Sequence, residues 1–204
     1  MYKSPFRVVP DFVSPLMCEE IVDELDFITP ETDKDGIAVR SVKNHEQFED
    51  MIFARLESII PQLEQHYGFK YKGTEQMEFE WVPQGAQIEP HCESAEYLNG
   101  TWAKTRYRDF TCVLFLTDFN DNPPFDDEFE CYGGKLEFPS HQFGFNPQRG
   151  TMIIYPSDPR FTNGTAQIIV GELHQVRIHI AATEPYAYNP KDFPGNFSVW
   201  FNDL

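Results

Sequence analysis

Residues 110–119, FTCVLFLTDF, make an apolar run that constrains the fold of this chain more than any other feature. Its Phe, Val, Leu and Thr content is that of a strand buried on both faces, and such a strand needs other layers packed against it. Further strand segments follow: YGGKLEF, GTMIIYPSD, and TAQIIVGELHQVRIHIAA with a turn at Gly171 before a long last strand. Upstream, Met77, Phe79 and Trp81 alternate with Glu78 and Glu80, the period-two pattern of a half-buried strand. At least seven short strands predict a two-sheet barrel or sandwich.

The first third has helical periodicity. FRVVPDF is a short opening strand broken by Pro10, and Ser14–Pro15 is a helix start with a hydroxyl N-cap and proline in the first turn. That helix is expected to reach about Ile28, with Met17, Ile21, Leu25 and Ile28 on one face. PETDKDGIAV is a polar loop. From Asn44 a second helix presents Phe48, Ile52, Leu56, Ile59 and Leu63, and Pro61 is expected to kink or interrupt it near Ser58. Two amphipathic helices before a set of strands predict helices packed on one face of a sheet. With 204 residues the chain is expected to form one domain: a helical part at about 14–68, a β core at about 76–183 and an aromatic tail at 184–204. The tail's Tyr186, Tyr188, Phe193, Phe197 and Trp200 are expected to pack over the barrel or to form a homodimer contact.

Charge narrows the partners. With 33 acidic and 16 basic residues, a net charge of −17, the surface repels nucleic-acid backbones; Lys104, Arg106 and Arg108 make only a small basic patch. Cys18, Cys92, Cys112 and Cys131 are scattered without a CxxC pair, which points to a reduced intracellular protein. No apolar stretch is long enough for a membrane span and the N-terminus has no signal core, so a cytosolic location is expected. The acidic loop NDNPPFDDEFE lacks EF-hand spacing and is expected to be solvated.

Chemistry concentrates in WVPQGAQIEPHCES, residues 81–94. His91 and Glu93 stand two apart, so in an extended chain an imidazole and a carboxylate face one point in space. That is two thirds of the two-histidine, one-carboxylate set that holds non-haem iron(II). Residues 94–107, with Tyr97, Trp102 and Tyr107, are expected to be a loop, either a lid over that point or a plain surface connection.

Taken in order, VVPDFVSPLMCEEIVDEL, QIEPHCES, RDFTCVLFLTDF, YGGKLEF and NPQRGTMIIYPSD resemble the prolyl 4-hydroxylase branch of the iron(II)- and 2-oxoglutarate-dependent oxygenases over nearly the whole chain. The resemblance implies a mainly β fold, the double-stranded β-helix or jelly-roll, with N-terminal helices against one sheet. It implies Fe(II) held by His91, Glu93 and a third side chain, with 2-oxoglutarate and O2 as co-substrates. The reaction implied is hydroxylation of a C–H bond, on a prolyl or other side chain of a peptide or protein.

Three departures stand against that pattern. The carboxylate is Glu93 where the family usually has Asp. The family's distal histidine position, six residues beyond the Pro156–Ser157 turn, holds Asn163, and the next histidine is His174, which serves only if 158–167 is an insertion. The basic residue that anchors 2-oxoglutarate ten positions later falls on Leu173 or Glu184. Strand parity puts Leu173, Gln175, Arg177 and His179 on one face and His174, Val176, Ile178 and Ile180 on the other. With the second set under the helices, Arg177 points into the barrel as the candidate anchor, and His174 joins it only through a bulge or a late strand start. Arg108 is the alternative anchor. His179 is a candidate pocket residue, while His45 and His141 are expected to be solvent-exposed. Three functions follow, the first two being an iron(II)/2-oxoglutarate hydroxylase and a catalytically degenerate jelly-roll acting as a binding or scaffold module. A cupin-like site for another divalent metal is the third.

Overall fold

Every residue from Phe110 to Phe115 is buried, so the central strand has a layer on each side. The computed structural model describes residues 3–26, 31–32, 38–41, 46–123 and 129–193. In chain order the first elements are β1 (Arg7–Val9), α1 (Pro15–Asp26), β2 (Glu31–Thr32), β3 (Ala38–Ser41), α2 (Glu46–Tyr67) and β4 (Tyr71–Thr74). Then come β5 (Glu78–Val82), β6 (Ile88–His91), β7 (Ala95–Leu98), β8 (Thr101–Lys104), β9 (Phe110–Phe115), β10 (Asp118–Phe119) and β11 (Glu130–Gly133). The last are β12 (Leu136–Phe138), β13 (Phe143–Phe145), β14 (Met152–Pro156), β15 (Asn163–Thr165), β16 (Ile168–Gly171) and β17 (Leu173–Ala182).

The helices start and run for the reasons their sequence gives. Ser14 Oγ accepts from the Met17 amide at 3.3 Å, capping α1. In α2, Ile52, Leu56, Ile60, Leu63 and Tyr67 are buried at spacings of three and four. The helix passes Pro61 without ending, against the interruption expected near Ser58. Pro61 lies on the exposed side, so its missing N–H leaves a gap where water reaches, while Ile60 and Leu63 hold the helix to the core.

One large sheet has the strand order β1-β14-β9-β17-β5-β3-β2, with β4 also paired to β17, and a second has the order β13-β12-β15-β6. A third has the order β10-β11-β16. β2 and β3 pair within the stretch read as a polar loop. Register fixes the two faces of the large sheet. Ile178 opposes Cys112, which opposes Ile154, and Val176 opposes Leu114, which opposes Met152; this face lies under the helices, with Tyr67 of α2 donating to the Ile154 carbonyl at 3.0 Å. Its opposite carries Arg177, Val113 and Ile153 in one row and His179, Thr111 and Tyr155 in the next. This inner face meets the second sheet: Phe115 stacks on Phe145 at 5.7 Å and Phe138 meets Tyr155 edge-on at 4.7 Å. The architecture is thus mainly β, two sheets face to face with two helices on the outside, a double-stranded β-helix. Cys18, Cys112 and Cys131 are sealed in the core.

Residues 95–104, expected as loop, form the hairpin β7–β8. Asn99 and Gly100 both have positive φ (50° and 85°), the two-residue turn that an Asn-Gly pair favours. Tyr97 and Trp102 pair across it with ring centroids 5.4 Å apart. The described part of the tail packs back as expected: Tyr186 lies on Phe110 at 4.6 Å and Tyr188 on Phe161 at 4.8 Å. The readings made for Ile28, Asn44, His45, the centre of the acidic loop, Phe197 and Trp200 fall outside the described residues.

β15 is held to β6 with no room for a side chain between them. A Cβ on Gly164 would sit 2.5 Å from the Ile88 carbonyl oxygen and 2.9 Å from the Pro90 nitrogen, both backbone atoms that cannot turn aside. Gly164→Ala is expected to lower stability by about 2 kcal/mol through overpacking, read as a lower urea midpoint by circular dichroism.

Candidate functional site

His91 ends β6 directly opposite Asn163, the first residue of β15. Residues 163–165 are therefore a core strand paired on both sides, not part of an inserted loop. Just beyond β6, Glu93 turns into the barrel and is buried, its side chain 3% exposed. His91 Nε2 lies 3.0 Å from Glu93 Oε1, and its Nδ1 lies 3.0 Å from the Glu89 carbonyl oxygen. Both imidazole nitrogens thus face acceptors, which favours the doubly protonated ring. Burial alone would lower the His91 pKa, but the hydrogen bond and charge of Glu93 outweigh it and raise it above its ordinary value.

Arg177 comes to the same carboxylate from β17. The register from Leu173 to Arg177 against β5 is unbroken, so alternation turns Arg177 inward. Its Nη1 donates to Glu93 Oε1 at 2.5 Å and to Asn163 Oδ1 at 3.2 Å, and its Nε to Glu80 Oε1 at 2.9 Å. Asn163 turns its amide nitrogen to the Phe161 carbonyl, which leaves the oxygen for Arg177. The other Glu93 oxygen faces Arg108 Nη1 at 3.6 Å and His179 Nε2 at 3.8 Å. Arg108 is held in turn by Glu75 and Glu78, and Gln175 Nε2 donates to Glu80 Oε2. Against the cost of burial, the Arg177 guanidinium and the His91 hydrogen bond pull the Glu93 carboxyl well below the usual carboxylate range. His179 goes the other way. Although near Glu93, it is pushed down to about 3 by burial, with Arg108 and Arg177 beside it, and is a neutral ring.

The same unbroken register separates His174 from this group. It opposes Trp81 and lies on the face of β17 opposite Arg177; no bulge rotates it, so the structure does not bring it to His91 and Glu93. Leu173 faces inward but is apolar. Strand parity put Arg177 and His179 on one face and left the direction of Arg108 open; in the structure all three side chains are buried around Glu93. Sequence reasoning missed Glu80, because an acidic residue alternating with Met77, Phe79 and Trp81 looks like the solvated side of a strand, whereas here that side is the barrel interior; Gln175 was on the right face but had no role until Glu80 lay beside it. His141 is half-buried rather than exposed, its ring 4.6 Å from that of Phe161.

Do these residues fit an iron(II) ion? Among the described residues no three His, Cys, Asp or Glu side chains gather as a metal site. The nearest set, His91, Glu93 and Asn163, offers one imidazole, one carboxylate and an amide oxygen, and Asn is a weaker donor to iron(II) than imidazole. Two of the three, Glu93 and Asn163, are bonded to the same guanidinium nitrogen. A divalent cation among them would meet a fixed positive charge. The residues do not fit the group.

No protein-family profile and no curated protein sequence matches the chain. Solved structures do. A prolyl-4-hydroxylase from Pseudomonas putida superposes with TM-score 0.67 at 14% identity, covering 89% of this chain and 94% of that one. A viral collagen prolyl hydroxylase from Paramecium Bursaria Chlorella virus-1, in complex with 2-oxoglutarate, gives TM-score 0.65 at 13% identity over 89% and 97%. A prolyl hydroxylase from Trichoplax adhaerens, in complex with a hypoxia-inducible-factor peptide fragment, gives TM-score 0.64 at 11% identity over 94% and 86%. The chain has the double-stranded β-helix fold of the prolyl 4-hydroxylases.

Proposed function

We propose that this chain is a binding module built on the prolyl-hydroxylase fold, in which an ionic network occupies the place where the hydroxylases carry out their chemistry. One observation carries the reading: Asn163 stands opposite His91, and Arg177 is bonded to both Asn163 and Glu93. The two candidate anchors for 2-oxoglutarate support it as well. Arg177 is bonded to Glu80 and Glu93, and Arg108 to Glu75 and Glu78, so an incoming dicarboxylate has to break ion pairs already made. Of the ligand classes seen with similar structures, a peptide or protein is the better supported. The hairpin that follows Glu93 presents Tyr97 and Trp102, 63% and 44% exposed, and large solvent-facing aromatics are common anchors at interfaces.

A second reading, an iron(II)/2-oxoglutarate-dependent hydroxylase, is favoured by the 3.0 Å approach of His91, the last residue of β6, to Glu93 just beyond it. Its ions and co-substrate would need Arg177 to leave. The two readings separate in an anaerobic titration of the folded protein with Fe(II) and 2-oxoglutarate. The binding-module reading expects no visible charge-transfer band and, once air is admitted, no succinate. A band with succinate release establishes the hydroxylase instead.

The network also sets stability. Removing one member leaves buried charge uncompensated, so Glu93→Gln is expected to destabilise the fold by about 3 kcal/mol or more. Urea unfolding followed by tryptophan fluorescence reads this directly, and a loss within 0.5 kcal/mol, roughly the effect of a neutral surface change, argues against a structural role for the pair.

A further inference from the structure

We infer that the Arg177 guanidinium takes, as a fixed part of the chain, the position a metal ion holds in an oxygenase barrel, and that Asn163 and Arg177 are one coupled change. The inference rests on the metal-free reading above and deepens it by naming the group that stands in for the ion. An ion bound by His91 Nε2, Glu93 Oε1 and Asn163 Oδ1 would have to lie among atoms that Arg177 Nη1 already joins: it donates to Glu93 Oε1 and Asn163 Oδ1, and His91 Nε2 shares Glu93 Oε1 at 3.0 Å. The guanidinium is not an exposed arm that swings aside. Its side chain is 2% exposed, its Nε is held by Glu80, and Glu80 is fixed again by Gln175.

The residue at 163 fits this arrangement. Guanidinium has only donors and cannot lose its proton at any ordinary pH, so it needs acceptors around it. Asn163 supplies a carbonyl oxygen to Arg177 and disposes of its own donor on the Phe161 carbonyl. A histidine there would offer one acceptor at best, and a second positive charge when protonated. Asn where a third metal ligand would stand, and Arg reaching it from β17, are two halves of one solution: a permanent internal cation that satisfies the buried Glu93 without any ion from solution.

The test restores the metal pattern in steps. Wild type, Asn163→His, Arg177→Met and the double variant Asn163→His/Arg177→Met are titrated with Co(II) at pH 7, reading visible absorption and the Co(II)-dependent shift in Tm, with circular dichroism to show that each is folded. The expected result is negligible Co(II) binding by wild type and by Asn163→His alone, and binding at least about 100-fold tighter in the double variant, whose three ligands are then free to converge. Equal Co(II) affinity in Asn163→His and the double variant overturns the inference, since the guanidinium would then not be holding the position. A folded double variant that binds no better than wild type also overturns it. Should the double variant not fold, Asn163→His alone still decides: tight Co(II) binding with Arg177 present rules out the stand-in, and its absence, with wild type also silent, upholds it. Tight Fe(II) binding with 2-oxoglutarate turnover by wild type defeats the underlying reading instead, and is told apart because it needs no substitution.

Discussion

A buried charge inside a β-barrel has to be matched within a few ångströms, and the pair Arg177–Glu93 organises the interior of this chain around that requirement. Each partner is all but closed to solvent. In such surroundings an unmatched guanidinium or carboxylate costs several kcal/mol, so each acquires further partners: Glu80 on one side of Arg177, Asn163 on another, and His91, Arg108 and His179 about Glu93. These partners come from β5, β6, β9's approach, β15 and β17, so the network ties both sheets and the turn after β6. The acidic residues on β5 are inward for the same reason.

The scaffold and its chemistry are separable here. Two sheets face to face, helices on the outer face of the larger one, and a short strand paired to the end of β6 are what the superposition on prolyl hydroxylases reflects, and this framework depends on apolar contacts such as Phe115–Phe145 and Phe138–Tyr155. Neither of those contacts involves His91, Glu93, Asn163 or Arg177. A fold of this kind hosts many functions, and the side chains at the mouth of the barrel decide which one.

Much of this was legible in the sequence where a single period governs a segment. The continuous apolar run gave the central strand, and spacings of three and four gave both helices. Parity along GELHQVRIHIAA separated Arg177 from His174, and the family resemblance, counted six residues from the Pro156–Ser157 turn, reached Asn163 as the alternative to His174; that Asn163 stands opposite His91 came only with the fold. What was not legible depends on more than one segment at a time. Glu80 is indistinguishable from a solvated strand residue until β17 lies beside it, and the pairing of β15 with both β6 and β12, which rules out an insertion, is a long-range fact. The hairpin is a different case: Asn99–Gly100 between Tyr97 and Trp102 was a local signal, outweighed by reading the aromatic segment as a loop, lid or plain connection. Pro61 misled because propensity ignores the core contacts that hold a helix on either side of an exposed proline.

The sealing of cysteines in the core has a consequence for the chain's covalent chemistry. The thiolate is the form that attacks disulfides and reacts with oxidants, and burial raises Cys18 and Cys131 to a pKa of about 12 and Cys112 higher still. Cys92, the half-buried fourth, is also raised, and its sulfur lies 3.3 Å from the Ser157 carbonyl. All four therefore remain protonated across the physiological range. Thiol exchange, which runs through the thiolate, is therefore disfavoured at all four cysteines while the chain stays folded.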